Sequence, residues 1–284
     1  MTTSPSPRPV PAPSDGARPM PGRRRAAVIG AVAVAAATAL AGCSTAAPGG
    51  GAAPASAAPA AAAAAGPGGG KDTAAACTAQ VQLDSSLPPG ADPDGPTPSA
   101  DEMKAWAATV AGPLATVQRN APDSLAAPLK VYADQLAQAQ QGKPLDGSDP
   151  QSSAATNTLD QWVHDSCGFQ TLDVTNDGGT LGPVTAALKP GPVAVRFTNA
   201  GDPGKAGFVL LVARVKDGQS ATPQQVDSGT DIEQVADVAA GALPSGPGPA
   251  YAVATLKPGN YLVSAVLGTP PTFAGSTSAA FTVS

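Results

Sequence analysis

The chain has 284 residues, of which 32 are Gly and 32 Pro, while aromatic residues make up 4% and charged residues 13%. Much of the Ala, Gly and Pro falls in the first seventy residues, so a core can form only from Lys71 onward, about 200 residues and enough for two small domains. The net charge of −5 grows more negative when the five arginines and one aspartate of residues 1–42 are set aside; the 11 basic and 20 acidic residues that remain argue against nucleic acid or anionic lipid as a direct partner.

Residues 1–42 read as a leader. A Pro/Ser/Ala-rich start is followed by Arg23, Arg24 and Arg25 and then by an apolar run of small residues from Ala26, the layout of a secretory signal peptide. The run ends in Leu40-Ala41-Gly42-Cys43, which resembles the bacterial lipobox. That resemblance implies a diacylglyceryl group on Cys43, cleavage before it, and a protein anchored by lipid to the outer face of the cell membrane. The rival is an uncleaved membrane helix, but the run is short against the ~20 residues needed to span a bilayer. In either case the arginines stay inside and the bulk of the chain lies outside.

Residues 43–72 carry Cys43 and an Ala/Pro/Gly tether in which Pro48, Pro54, Pro59 and Pro67 interrupt any helix. The run Gly68-Gly69-Gly70-Lys71 is not a phosphate loop, because Ala65 replaces the first glycine and Asp72 the Ser or Thr.

Residues 73–169 have helical periodicity and suggest a small three-helix bundle. Ser99 and Glu102 form a capping box ahead of Met103, Trp106, Val110, Leu114 and Val117, with Pro113 expected to kink or split that helix. Leu125, Leu129, Tyr132, Leu136 and Ala139 make a second face, stopped by Gly142 and Pro144. Asp149 and Pro150 open a third helix bearing Leu159, Trp162 and Val163.

Residues 170–284 switch to a period of two. Strands are expected at Leu172 and Val174, Val193–Thr198, Phe208–Val215, Tyr251–Leu256, Tyr261–Leu267 and Ser278–Val283, with turn chemistry at Asn176-Asp177-Gly178-Gly179 and two Leu-Lys-Pro-Gly segments. Thr230 and Glu233 suggest a capped short helix over Ile232, Val235 and Val238. The fold class is therefore α+β: disordered leader and tether, helical bundle, then a seven-stranded Ig-like β-sandwich.

Four stretches carry the cupredoxin-like resemblance: Val193-Ala-Val-Arg-Phe-Thr-Asn199, Phe208-Val-Leu-Leu211, Leu256-Lys-Pro-Gly-Asn-Tyr261 and Phe281-Thr-Val283. They resemble the cupredoxin-like modules of extracytoplasmic lipoproteins from high-GC Gram-positive bacteria. The resemblance implies a sandwich scaffold but no copper, because residues 169–284 contain no His, Cys or Met, and blue copper needs two imidazoles and a thiolate. Ala206-Gly207 and Ser264-Ala265 occupy the places where such members often carry His and Cys.

Few residues point to chemistry. Cys77 and Cys167 bracket the helical region, and in an exported chain a disulfide is the default, two free thiols as metal ligands being the rival. His164, the only histidine, lies three residues before Cys167 and would pair with it in catalysis only if the thiol were free. Asp92, Asp94, Asp101 and Glu102 hint at calcium but sit in a Pro/Gly-rich loop, and Trp106 and Trp162 read as core rather than as a sugar platform. No catalytic residue, metal site or cofactor is assigned, and the ligand-binding residues are unknown. The favoured reading is a non-enzymatic surface lipoprotein that binds an envelope protein or small ligand. The alternatives are a copper-related protein with a site outside the sandwich, and an envelope hydrolase whose carboxylate pair emerges only in three dimensions.

Overall fold

The computed structural model describes residues 70–90, 96–184, 187–269 and 272–284. The leader, Cys43, the tether through residue 69, and Asp92 and Asp94 lie outside them. The described chain is α+β, with helices first and two four-stranded sheets after.

Four long helices precede the strands, not three. The first, α1 (Thr73–Asp84), is capped by Asp72, whose Oδ1 accepts from the Ala75 amide at 3.0 Å. Next, α2 (Ala100–Asn120) starts at the expected capping box, with Ser99 N–H donating to Glu102 Oε2 at 2.8 Å. Pro113 does not split it: Val110, Leu114 and Val117 are buried on both sides of the proline and hold one continuous helix to the core. Then come α3 (Ala126–Gln140) and α4 (Pro150–Ser166), the latter capped by Asp149. Each helix packs on the next in sequence. Their shared core runs from Leu83, Leu114 and Leu159 into Ala194 and Val253 of the sheets. The helices thus form a layer that uses a sheet face to finish burying its apolar side, which a free-standing three-helix bundle would not need. A disulfide joins Cys77 of α1 to Cys167, immediately after α4.

Eight strands follow: β1 (Gln170–Asp177), β2 (Thr180–Leu181), β3 (Gly191–Ala200), β4 (Gly207–Val215), β5 (Ala236–Ala242), β6 (Ala250–Leu256), β7 (Gly259–Thr269) and β8 (Thr272–Val283). One sheet runs β2-β1-β3-β6 and the other β5-β4-β7-β8. Strands β1 and β3 are parallel, with Leu172 opposite Val195 and Val174 opposite Phe197. The sheets bury Leu172, Val195 and Phe197 from one and Leu210, Val212 and Tyr261 from the other in a common core. Eight strands stand where seven were expected: the six segments located by sequence are joined by β2, a two-residue return, and β5, Ala-Asp-Val-Ala-Ala-Gly-Ala, which lacks alternation.

On β4, which is central in its sheet, Ala213 also contacts a small outer core of Val226, Ile232, Ala236 and Leu262. That cluster is supplied partly by α5 (Pro223–Asp227) and α6 (Ile232–Val235). The expected Thr230/Glu233 box is replaced: Asp231 caps α6 by accepting from Glu233 N–H at 3.0 Å, and Val238 belongs to β5. Asp231 directly precedes the first helical residue and its carboxylate reaches the amide two residues on, so Thr230 is left outside the cap. The capping box in this region belongs to Thr222 and Gln225.

Two polar devices fix the strand ends. Asn176 is fully buried, donating to Asn199 Oδ1 and Lys205 O at 2.9 Å each and accepting from Gly179 N–H, which closes the β1–β2 turn. Asn199 in turn bonds both backbone groups of Gly207. At the opposite corner the Tyr261 hydroxyl accepts from Lys257 N–H at 2.9 Å and donates to Lys257 O at 3.0 Å. Among the described residues no helix is long and apolar enough to cross a membrane.

Candidate functional site

The helical layer and the strands β5 and β6 enclose a cavity of about 350 Å³. Its inner wall is acidic because two helices turn a polar stripe inward. On α4, Asn157, Asp160 and His164 recur at spacings of three and four and so share one face. Asn157 docks that face on the sheet: its Oδ1 accepts from Tyr251 N–H at 2.7 Å and its Nδ2 donates to Pro249 O. Asp160 is thereby buried, 3% exposed, and its Oδ1 has no hydrogen-bond donor. On α1, Gln80 is completely buried and donates to Asp84 Oδ1 at 3.0 Å, while Asp84 Oδ2 is sealed from solvent without a donor.

The two carboxyls influence each other directly. Loss of solvent is the main cause of both shifts. It raises Asp84 to about 7, against the smaller opposing effect of hydrogen bonds from Gln80 and Asp160. It holds Asp160 well above the usual carboxylate range, reinforced by the charge of Asp84. Desolvation, and then those same two carboxyls, also push the Tyr132 phenol upward; its hydroxyl pairs with Thr156 Oγ1 at 2.9 Å. No Lys, Arg or His is among the described lining residues.

The rest of the wall is mostly apolar. Trp106 and Tyr132 line it from α2 and α3 and Tyr251 from β6, and Trp106 commits its indole N–H to Ser86 O at 2.7 Å. Exposed Leu87, Val238 and Leu243 ring the outer part. Trp106 is half-buried, packing on the helical core while also forming part of the cavity wall, whereas Trp162 is buried. A wider depression along α1 and α2 is lined by exposed groups such as Thr78 and Gly112 and holds none of the buried, unpartnered polar atoms.

The residues singled out by sequence are elsewhere. Cys77 and Cys167 are oxidised to each other, so His164 has no thiol to activate. Its Nδ1 meets Asp165 at 2.9 Å and its Nε2 meets Asp173 at 3.3 Å, and the ring stands edge-on to Tyr251 at 5.4 Å. Arg196 completes this link from β3 by pairing with Asp173 at 2.9 Å. Asp101 is at the exposed start of α2 and Glu102 serves the capping box, so neither approaches a cation loop. Ser264, where the resemblance would put a cysteine, is buried and bonded to Ser278 Oγ at 3.1 Å. Asp84 and Asp160 were missed, although Gln80-x-x-x-Asp84 and Asn157-x-x-Asp160 are polar pairs at helical spacing.

No family model matches the chain, and no curated protein matches it.

Proposed function

We propose that this chain is a lipid-anchored, non-enzymatic surface protein that holds a small ligand between its helical layer and its sandwich. The lipobox-like segment before Cys43 supports the anchor, and the Cys77–Cys167 bridge is of the kind that persists outside a reducing cytosol. The cavity carries the binding reading. It is concave, mainly apolar and furnished with a few converging polar groups, as small-molecule sites are. The cupredoxin-like sandwich acts as scaffold, holding β5 and β6 against the helices.

Saturation-transfer NMR of the purified protein against a mixture of small neutral, anionic and cationic aromatic compounds tests this. Ala239 is exposed and lines the cavity, so Ala239→Trp should block it without disturbing the core. Binding that disappears in Ala239→Trp is the expected result. Absence of any binder, or binding indifferent to the block, overturns it.

The paired carboxyls favour one other reading, a hydrolase of aspartic-dyad type, in which two acids sharing a proton activate water. Such a dyad needs a water seated on both groups. Here Asp84 Oδ2 and Asp160 Oδ1 are both closed to solvent, which favours binding over turnover.

A further inference from the structure

We infer that the cavity receives a short, extended, basic peptide segment of a partner protein, added as an extra strand to the outer edge of β5. This rests on the cavity being a binding site and names its occupant. The first argument is topology. Strand β5 ends its sheet and pairs only with β4. Lys216 N–H donates to Val235 O at 3.0 Å, which makes these two a hydrogen-bonded pair just beyond the ladder. Alternation along β4 then turns the N–H and C=O of Val215, Ala213 and Leu211 toward β7. Their opposites on β5, Ala236, Val238 and Gly241, turn theirs away from β4, with Ala239 the extra residue of a bulge. Val238 and Gly241 are exposed and line the cavity, and among the described residues no backbone group pairs with their outer side. The complement of a bare strand edge is another backbone, donor to acceptor and acceptor to donor.

The second argument is the contrast with β6, which lines the same cavity. There Asn157 accepts from Tyr251 N–H at 2.7 Å and donates to Pro249 O at 3.3 Å, so a side-chain amide stands where a neighbouring strand would. Nothing comparable covers β5 among the described residues. Native proteins blunt their strand edges. The device β5 carries is its bulge, which excludes long flat pairing between copies of the chain but not a short segment.

The third argument is side-chain chemistry. Alternate side chains of an added strand need apolar surface, and Leu87, Trp106, Tyr132 and Leu243 line the cavity, Leu87 being 71% exposed. No Lys, Arg or His is among the described lining residues, Asp146 stands exposed among them, and the chain beyond residue 42 is acidic. Like charges facing one another suppress a partner and opposite charges admit it, so the segment is basic and not acidic.

The test follows backbone amides by NMR during titration with two acetylated, amidated hexapeptides, Lys-Val-Lys-Val-Lys-Val and Glu-Val-Glu-Val-Glu-Val. The lysine peptide should bind several-fold more tightly than the glutamate peptide and slow hydrogen exchange at Val238 and Gly241. Val238→Pro removes a donor that points away from β4, a change an edge strand tolerates, and should weaken lysine-peptide binding at least ~5-fold, the worth of one net hydrogen bond. Should that variant fail to fold, exchange at Val238 and Gly241 in the unaltered protein decides the matter alone. No binding of the lysine peptide, binding without slowed exchange at those two amides, or binding indifferent to Val238→Pro overturns the added strand. Equal or tighter binding of the glutamate peptide overturns the basic class. Exchange at the two amides that slows with protein concentration alone assigns the edge to a second copy and overturns the peptide. In each of these cases the small-compound mixture and Ala239→Trp decide separately whether the cavity binds anything.

Discussion

Replacing Asp84 by Asn should change how the stability of this protein depends on pH. Asp84 has an ordinary value of 3.8 and is raised to about 7 in the fold, chiefly by loss of solvent. The folded chain therefore binds more protons than the unfolded chain between these values, and stability falls as pH rises through that window. One pKa unit is worth about 1.4 kcal/mol, so the full penalty, reached above about pH 7, is roughly 4 kcal/mol. Asp160, whose shift has the same sign, extends the penalty to higher pH. Glu102, Asp146 and Asp149 are lowered by their hydrogen bonds and act in the opposite direction, but only at more acidic pH. Asn at position 84 removes the group that must ionise and can donate to Asp160. Urea unfolding followed by Trp fluorescence at about pH 5 and pH 8 should show the unaltered protein losing several kcal/mol on going to the higher pH, and the variant losing much less. Parallel profiles for the two proteins, or stability that rises with pH in the unaltered one, would refute the desolvated-pair account.

Other outcomes are equally checkable. Serine at both Cys77 and Cys167, which are 90 residues apart, should lower unfolding free energy by about 4–5 kcal/mol in the chain-entropy account, and reductant should reproduce the effect on the unaltered protein. Gly207→Ala places a Cβ 2.6 Å from Phe197 Cζ, so thermal unfolding should report a loss of about 1–3 kcal/mol, partly recovered by adding Phe197→Leu. Cys43→Ala should block processing or release the protein from the membrane fraction, since two acyl chains are what make such attachment stable; unchanged processing and retention would count against the lipobox reading. Added copper(II) should give no intense visible band, because residues 169–284 supply neither thiolate nor imidazole.

Sequence disclosed the elements whose apolar residues repeat strongly and little of what packs between them. The Ser99–Glu102 box, the Asp149 cap and the alternation over Val193–Thr198 are local signals, and each matches an observed element. Helix α1 was hidden because Ala76, Cys77 and Ala79 form its buried face beside a low-complexity tether, so small residues carry a contact that periodicity could not weigh. Strand β5 was hidden for a related reason: Ala236 to Ala242 has almost no β-branched content, and its place is set by pairing with β4. The acidic cavity wall needs coordinates because Asp84 and Asp160 are 76 positions apart and meet only when α1 and α4 flank the same sheet. Taken singly, each is an ordinary helical aspartate.

The disulfide also sets a load path. Tension applied to the chain ahead of Asp72 enters the fold through the first turn of α1 and reaches Cys77 within five residues. From there a covalent bond carries it to Cys167, three residues before β1 begins. The 89 residues between the two cysteines, which include α2, α3 and α4, lie off this route as a closed loop. Pulled from its N-terminal side, the protein would transmit force directly into the sandwich and leave those helices slack, so shear on a tethered molecule would not have to peel the helices one from another.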